Sequence, residues 1–241
     1  MEASVRGIAE RARFASRDFA KMQQSRAYDL LMRVPLLGYA IFFATLQMAG
    51  LARYVNEPDP ARPLALYAIG MVMRLSTITF LLLLAAATIL RARPTGKARG
   101  LEPRISAFMG AFLVYVIPLY PRRELSAPAE MVSTLLVLFG SAAAVYTLLR
   151  LGRSFSLMAE ARQLVTSGPY RLVRHPLYLA EELAIIGIFM QFLSLSTAFV
   201  LAVQIVFQLR RMHNEEAVLA ESFPEYAAYR QRTARLLPGV Y

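Results

Sequence analysis

The chain contains no cysteine and only two histidines among its 241 residues. The absence of cysteine excludes disulfides, thiolate metal sites and cysteine nucleophiles. Two histidines offer little for metal coordination, so we predict no metal site. No basic and aromatic nucleic-acid motif accompanies the net charge of +11, so we expect no nucleic acid partner. Lysine is also scarce, at two residues against 25 arginines, a bias typical of GC-rich bacterial genomes.

Apolar residues are abundant instead, at 57% of the chain with a mean hydropathy of +0.44. A helix needs about 20 residues to cross the hydrocarbon layer, and lipid cannot satisfy an open backbone. The last apolar run would be about 48 Å long as one helix, so we predict a hairpin that breaks near Leu193 and Ser194, with arms of about 16 residues. The sequence predicts an all-α polytopic membrane bundle of about six transmembrane helices, the last two forming this hairpin. The apolar runs are 34–52, 64–90, 105–120, 131–149 and 178–209.

The positive charges test this topology independently. The segments 1–33, 91–104, 150–177 and 210–241 hold 22 arginines and lysines, whereas the intervening loops hold 4. Positive residues concentrate on the cytoplasmic side of membrane proteins, so both termini should be cytoplasmic. We therefore predict a multi-pass protein of a bacterial inner membrane that also contacts anionic membrane lipids.

The chain divides into three parts. Residues 1–33 fit a basic amphipathic helix on the membrane surface, although a charged tail is the alternative. Residues 34–149 should form four transmembrane helices. Residues 150–241 should hold a long cytoplasmic loop, the hairpin and a C-terminal cytoplasmic helix.

Two polar clusters, at residues 168–178 and 210–216, border the hairpin. Gly168 and the prolines 169 and 176 predict a shaped loop that leads into a helix. Tyr170, Arg174 and His175 would then lie at a helix N-terminus, where free N–H groups favour an anionic ligand. The alternative is a juxtamembrane belt in which arginines contact lipid phosphates and Tyr170 and Tyr178 anchor at the interface.

Four glutamates follow these residues in the hairpin. The turn brings Glu215 and Glu216 towards Arg174 and His175, which could create a pocket for a zwitterion or only a set of ion pairs. Glu181 and Glu182 fall in the first turns of the hairpin, where exposure to lipid is costly, so we expect one of them to face the site.

The combined pattern resembles the C-terminal region of isoprenylcysteine carboxyl methyltransferases, over residues 150–241. Phospholipid N-methyltransferases are wider relatives, and steroid 5α-reductases share part of the signature. Ala180 stands where members commonly have glycine. The residues that carry the resemblance are Gly168-Pro-Tyr, Arg174-His-Pro-Leu-Tyr178, Asn214-Glu-Glu216, Leu219, Phe223, Tyr226, Tyr229 and Pro238-Gly-Val.

The resemblance implies an S-adenosylmethionine-dependent methyltransferase that acts on a lipophilic or prenylated substrate, by carboxyl methylation of a prenylcysteine-like or other lipidic acceptor. The alternatives are amine or phospholipid N-methylation, an NADPH-dependent reductase, and a non-enzymatic scaffold. Arg174 would align the acceptor, and Glu181 or Glu182 would take a proton from an amine acceptor. The implied cofactor-binding residues are Tyr170, Arg174, His175, Tyr178, Glu215, Glu216 and Tyr229.

Overall fold

The computed structural model describes Leu30, residues 33–60 and residues 63–239. It confirms an all-α membrane bundle. The helices are α1 (Val34–Asn56), α2 (Leu64–Leu90), α3 (Glu102–Phe112), α4 (Ala127–Leu151), α5 (Pro176–Gln191), α6 (Leu195–Ser222) and α7 (Tyr226–Arg232). Three 3-10 segments span Leu113–Leu119, Gly152–Ser154 and Gly168–Arg171, and two short strands are β1 (Gly96–Lys97) and β2 (Glu160–Ala161). The surface helix expected over residues 1–33 lies outside the described residues, apart from Leu30 and Arg33.

Within the described residues, five helical stretches are long and apolar enough to cross a membrane. They are α1, α2, α3 continued to Leu119, α4 continued to Ser154, and α6. Their outward faces carry large apolar side chains, such as Leu64, which is 81% exposed. Exposure of this kind is expected where the solvent is lipid. The helix α5 has 16 residues and is the short arm that the sequence predicts.

The predicted hairpin break lies between Gln191 and Leu195. Ser194 caps α6 through a reciprocal pair of hydrogen bonds with Thr197, which fixes where the second arm begins. The second arm differs from the prediction of two short arms, because α6 continues past its apolar part to Ser222. The second polar cluster is therefore helical, and its side chains keep a fixed spacing around α6.

The two arms pack against different neighbours. The helix α5 packs chiefly along α4, whereas α6 packs chiefly along α3. Glycines set the approach of α5 to α4: a Cβ atom on Gly140 would lie 2.5 Å from the backbone nitrogen of Ala184, and one on Gly187 would lie 2.7 Å from the carbonyl oxygen of Ser133. Small residues allow such close contacts between membrane helices. The arms therefore enclose a space between them.

A two-stranded sheet joins the segments that flank the polar end of the bundle. The strands are antiparallel, with Gly96 opposite Ala161 and Lys97 opposite Glu160. Strands of two residues are too short for an alternating pattern to be detected in the sequence. The sheet holds the segment after Glu160 against α6.

Candidate active site

Glu216 lies at the centre of the polar end of the bundle. Its carboxylate accepts hydrogen bonds from Arg174 (Nε to Oε1, 2.8 Å) and from Arg235 (Nη2 to Oε2, 2.8 Å), and His175 Nε2 lies 3.1 Å from Oε1. Glu216 is only 4% exposed. A buried carboxylate is costly unless it is paired and hydrogen-bonded, so these contacts make Glu216 a structural hub. The structure thus brings Arg174, His175 and Glu216 together.

Arg174 also ties the C-terminal segment to the loop before α5. Its Nη1 atom donates to the carbonyl oxygens of Arg230, at 3.2 Å, and Thr233. The backbone N–H of Arg174 donates to Ala234 (2.9 Å), and that of His175 donates to Arg235 (3.1 Å). These bonds place the loop and the C-terminus side by side, and they orient the face of Arg174 that reaches the cavity described below.

Glu215 points in a different direction from Glu216. It accepts hydrogen bonds from the phenol of Tyr178 and from Arg211 (Nε to Oε1, 3.2 Å). The guanidinium of Arg211 lies 4.6 Å from the centroid of the Tyr178 ring, and this ring stacks on His175 at 5.4 Å between centroids. The two polar clusters are therefore joined at two points: Glu215 contacts Tyr178, and Glu216 contacts Arg174 and His175.

Tyr170 and Tyr229 form a buried aromatic wall. The phenol of Tyr229 donates to the carbonyl oxygen of Tyr170 at 2.7 Å. Burial raises the pKa of Tyr229 to about 12, and it raises the pKa of Tyr170 well above its usual range. Both phenols therefore keep their protons at physiological pH.

A polar cavity of about 100 Å³ opens between these residues. Glu216 is not part of its lining and lies behind Arg174 and His175, so it positions other side chains there. The predicted residues that line this cavity, which we call the polar cavity, are Tyr170, Arg174, His175, Tyr178, Glu215 and Tyr229.

The sequence reasoning missed several residues of this region. Glu160 and Arg162 line the polar cavity from the end of β2, and Arg162 Nη2 lies 2.5 Å from Glu160 Oε2. Phe155 lines the cavity from the loop after α4. Arg235 lies outside the motifs that carry the resemblance. For the segment before the hairpin, the sequence predicts only a long cytoplasmic loop.

A second cavity, of about 170 Å³, lies among the helices and is mainly apolar. We call it the inner cavity. Its apolar wall includes Leu36, Phe43, Leu84, Phe112 and Ile188, from α1, α2, α3 and α5. No motif predicts it, because its lining comes from six helices, α1 to α6, which are distant in sequence.

The two cavities meet at one wall. Phe155 lines both cavities, whereas Arg211 lines the inner cavity and its partner Glu215 lines the polar cavity. The 3.2 Å contact between Arg211 and Glu215 therefore separates a polar space from an apolar one. This arrangement suits a reaction between one polar and one lipophilic reactant.

The two candidate bases differ in their surroundings. Glu181 lines the inner cavity. Glu182 instead accepts a hydrogen bond from Gln204 on α6 (Nε2 to Oε1, 2.9 Å). The expectation that one of the pair faces the site points to Glu181. Within residues 33–60 and 63–239, no group of three or more metal-ligating side chains lies close enough together to hold a metal ion.

A known protein family matches the part of the chain that contains the site. Residues 132–221 match the model of the isoprenylcysteine carboxyl methyltransferase (ICMT) family. The match confirms the family resemblance seen in the sequence, and it supports a membrane methyltransferase. It includes α5 and nearly all of α6, and hence Arg174, His175, Glu215 and Glu216.

Two curated relatives match shorter segments. The cobalt-zinc-cadmium resistance protein CzcN of Cupriavidus metallidurans is 42% identical over 76 residues, which are 31% of this chain and 35% of that protein. The nickel-cobalt-cadmium resistance protein NccN of Alcaligenes xylosoxydans xylosoxydans is 32% identical over 80 residues, or 33% of this chain and 38% of that protein. The matched segments span about a third of each relative's length.

Proposed function

We propose that the protein is an S-adenosylmethionine-dependent methyltransferase of the bacterial inner membrane that acts on a lipophilic acceptor. The observation that carries the proposal is the contact of the polar cavity with the inner cavity across Arg211 and Glu215. The polar cavity would hold the cofactor, reached from the cytoplasm, and the inner cavity would hold the acceptor.

The residues of the polar cavity fit such a cofactor. Its adenosine part needs aromatic surfaces, which Tyr170, Tyr226 and Tyr229 supply. Its amino-acid part carries both charges, and the cavity offers Arg174 for a carboxylate and Glu215 for an ammonium group. When bound, the cofactor supplies an electrophilic sulfonium methyl group.

The chain's own contribution is orientation and the removal of water. Glu216 fixes Arg174 and His175, and the ring of Tyr178 lies between His175 and Arg211. Phe155 lines both cavities and Leu177 lines the polar cavity; they are 4% and 5% exposed and give the site apolar surface that excludes water. Holding two reactants in line in a dry site lowers the barrier to a displacement at carbon.

Calorimetric titration of the purified protein in detergent tests the proposal. S-adenosylhomocysteine should bind saturably, whereas NADPH should not. Saturable binding of NADPH alone would support a reductase, and binding of neither would support a scaffold. His175→Ala should weaken the binding of S-adenosylhomocysteine, while the matched variant His213→Ala, on the exposed side of α6, should leave it unchanged.

The names of the two relatives suggest a cellular context. Both are described as metal-resistance proteins, so we propose that the methylation contributes to tolerance of cobalt or cadmium. A deletion strain should grow more poorly in cobalt, and wild-type protein, but not His175→Ala, should restore growth. Equal restoration of growth by both proteins would show that metal tolerance does not depend on this site.

A further inference from the structure

The inner cavity holds an acidic side chain that its apolar character does not require. Glu181 lies one to two turns inside α5 and lines this cavity among apolar residues of α1 and α2. Placing a carboxylate there is costly, because lipid-facing and apolar surroundings disfavour charge. Since intramembrane acids usually serve a function, the position of Glu181 bears on what the cavity binds.

A second acceptor lines the same cavity. Gln208 is 3% exposed, and its Oε1 atom is buried and has no hydrogen-bond partner among the described residues. The side chain of Gln208 also lies within hydrogen-bonding reach of Glu181. An unsatisfied buried oxygen costs free energy unless a donor meets it. Together, Glu181 and Gln208 create a place for a ligand that donates hydrogen bonds.

Among the described residues, one acidic and one basic side chain line the inner cavity, Glu181 and Arg211. Arg211 also lines the cavity, but Glu215 pairs with it at 3.2 Å and the ring of Tyr178 covers its guanidinium. Glu215 and Tyr178 therefore engage the guanidinium of Arg211, whereas the carboxyl group of Glu181 lines the cavity. The ionisable groups that interact with Glu181 are Arg211 and Glu215 from α6, Glu182 and Tyr178 from α5, Tyr39 from α1, Tyr115 from the 3-10 segment after α3, and Tyr170 from the loop before α5.

We propose that the acceptor is a lipophilic primary or secondary amine, and that Glu181 binds its ammonium form and takes a proton from it. This inference rests on the methyltransferase function proposed above. An ammonium group donates to both Glu181 and Gln208, and its chain fills the apolar remainder of the cavity. A carboxylate acceptor would instead place a second acidic group beside Glu181 and would leave Gln208 Oε1 without a donor.

The chemistry balances with Glu181 as the base. Its carboxylate accepts one proton from the ammonium, which leaves a lone pair on nitrogen. That pair forms the new carbon–nitrogen bond to the sulfonium methyl, while the carbon–sulfur bond breaks and its electrons stay on sulfur. The products are a methylammonium, S-adenosylhomocysteine and the proton on Glu181, which is released to water.

Binding of matched short amphiphiles tests the inference without any turnover. Calorimetric titration of the wild-type protein with octylamine and with octanoic acid should show binding of the amine at least tenfold tighter than that of the acid. Glu181→Gln, which keeps the shape of the side chain, should weaken amine binding at least tenfold. Glu221→Gln, exposed on the far part of α6, should leave it unchanged. Glu182→Gln should weaken amine binding less than Glu181→Gln does.

Methyl transfer supplies a second readout. The labelled product from octylamine should survive mild alkali, which hydrolyses methyl esters. The defect of Glu181→Gln in methyl transfer should shrink as the pH rises towards the amine's own pKa of about 10.4, since a neutral amine needs no base.

Three kinds of result would overturn the inference. The first is tighter binding of the acid than of the amine, and the second is methylation of the acid only or of neither compound. The third is a Glu181→Gln defect that does not change with pH. Titration with S-adenosylhomocysteine separates this result from failure of the methyltransferase proposal: unchanged cofactor binding would leave that proposal intact.

Discussion

Arg211 and Glu215 form an ion pair of 3.2 Å across the wall between the two cavities, and each residue lines a different one. They lie four residues apart on α6, so one helical turn sets their spacing. The pair places a negative charge at the polar cavity and a guanidinium at the apolar one. Both cavities therefore depend on the same contact.

Neutralising Glu215 should weaken cofactor binding. We expect Glu215→Gln to raise the dissociation constant for S-adenosylhomocysteine at least tenfold, equivalent to about 1.4 kcal/mol. The reason is that the variant removes a carboxylate from the polar cavity and leaves Arg211 buried beside an uncharged amide. Calorimetric titration measures the change, with Glu221→Gln as the control. An unchanged dissociation constant would exclude Glu215 from the binding site.

Removal of the hub carboxylate should affect folding as well as binding. We expect Glu216→Ala to lower the free energy of unfolding by about 3–5 kcal/mol, because it leaves Arg174, Arg235 and the ring of His175 without their shared partner. Denaturation in detergent, followed by circular dichroism, provides the measurement. Glu221→Ala, on the same helix, should change stability little. Equal stability of the two variants would contradict the role of Glu216 as a hub.

How much of this site the sequence could predict depends on how local each relationship is. Arg174, His175, Glu215 and Glu216 belong to two short motifs, and a hairpin of the right length is enough to bring them together. Arg235 and Phe155 could not be found in this way. Arg235 reaches Glu216 only because the C-terminal segment folds back onto α6, and Phe155 lies in a loop that packs against helices distant in sequence. The sequence also could not predict which of Glu181 and Glu182 lines the inner cavity. Neighbours on a helix point about 100° apart, and the rest of α5 is apolar on every side, so no polar face indicates the orientation. Only the packing of α5 on α4 decides which one meets the cavity.

That packing can be tested at Gly140. We expect Gly140→Ala to destabilise the protein by about 1–3 kcal/mol, because the new methyl group would overlap the backbone of α5 at Ala180 and Ala184. Binding of S-adenosylhomocysteine should weaken too, since Tyr178 moves with α5. Gly38→Ala is the matched control in α1, where an added Cβ has no neighbour within 4 Å. Thermal unfolding in detergent compares them, and equal midpoints would show that α5 tolerates displacement from α4.

The buried phenol of Tyr229 should make stability depend on alkaline pH. Its pKa is about 12 in the folded protein, against about 10 for an unfolded tyrosine. The stabilisation is thus fully present below pH 10 and is lost as the pH rises through 12, because the unfolded chain releases the proton first. Tyr229→Phe should lower stability at neutral pH, because it removes the hydrogen bond to Tyr170. Between pH 10 and 12, however, the variant should lose less stability than the wild-type protein does. Parallel curves for the two proteins, measured by chemical denaturation, would refute this assignment.

Cysteine labelling can establish on which side of the membrane the two polar clusters lie, and the absence of native cysteine gives a clean background. We expect Ser167→Cys and Glu221→Cys to react with a membrane-impermeant maleimide from the cytoplasmic side, because α5 and α6 return the chain to the face that it left. Ser196→Cys should react from the other side. It is preferable to a substitution at Ser194, whose hydroxyl caps α6. Labelling of intact cells and of inverted vesicles distinguishes the two faces. Opposite labelling of Ser167→Cys and Glu221→Cys would be incompatible with the contacts that join Arg174 and His175 to Glu216, and so with a single site built from both clusters.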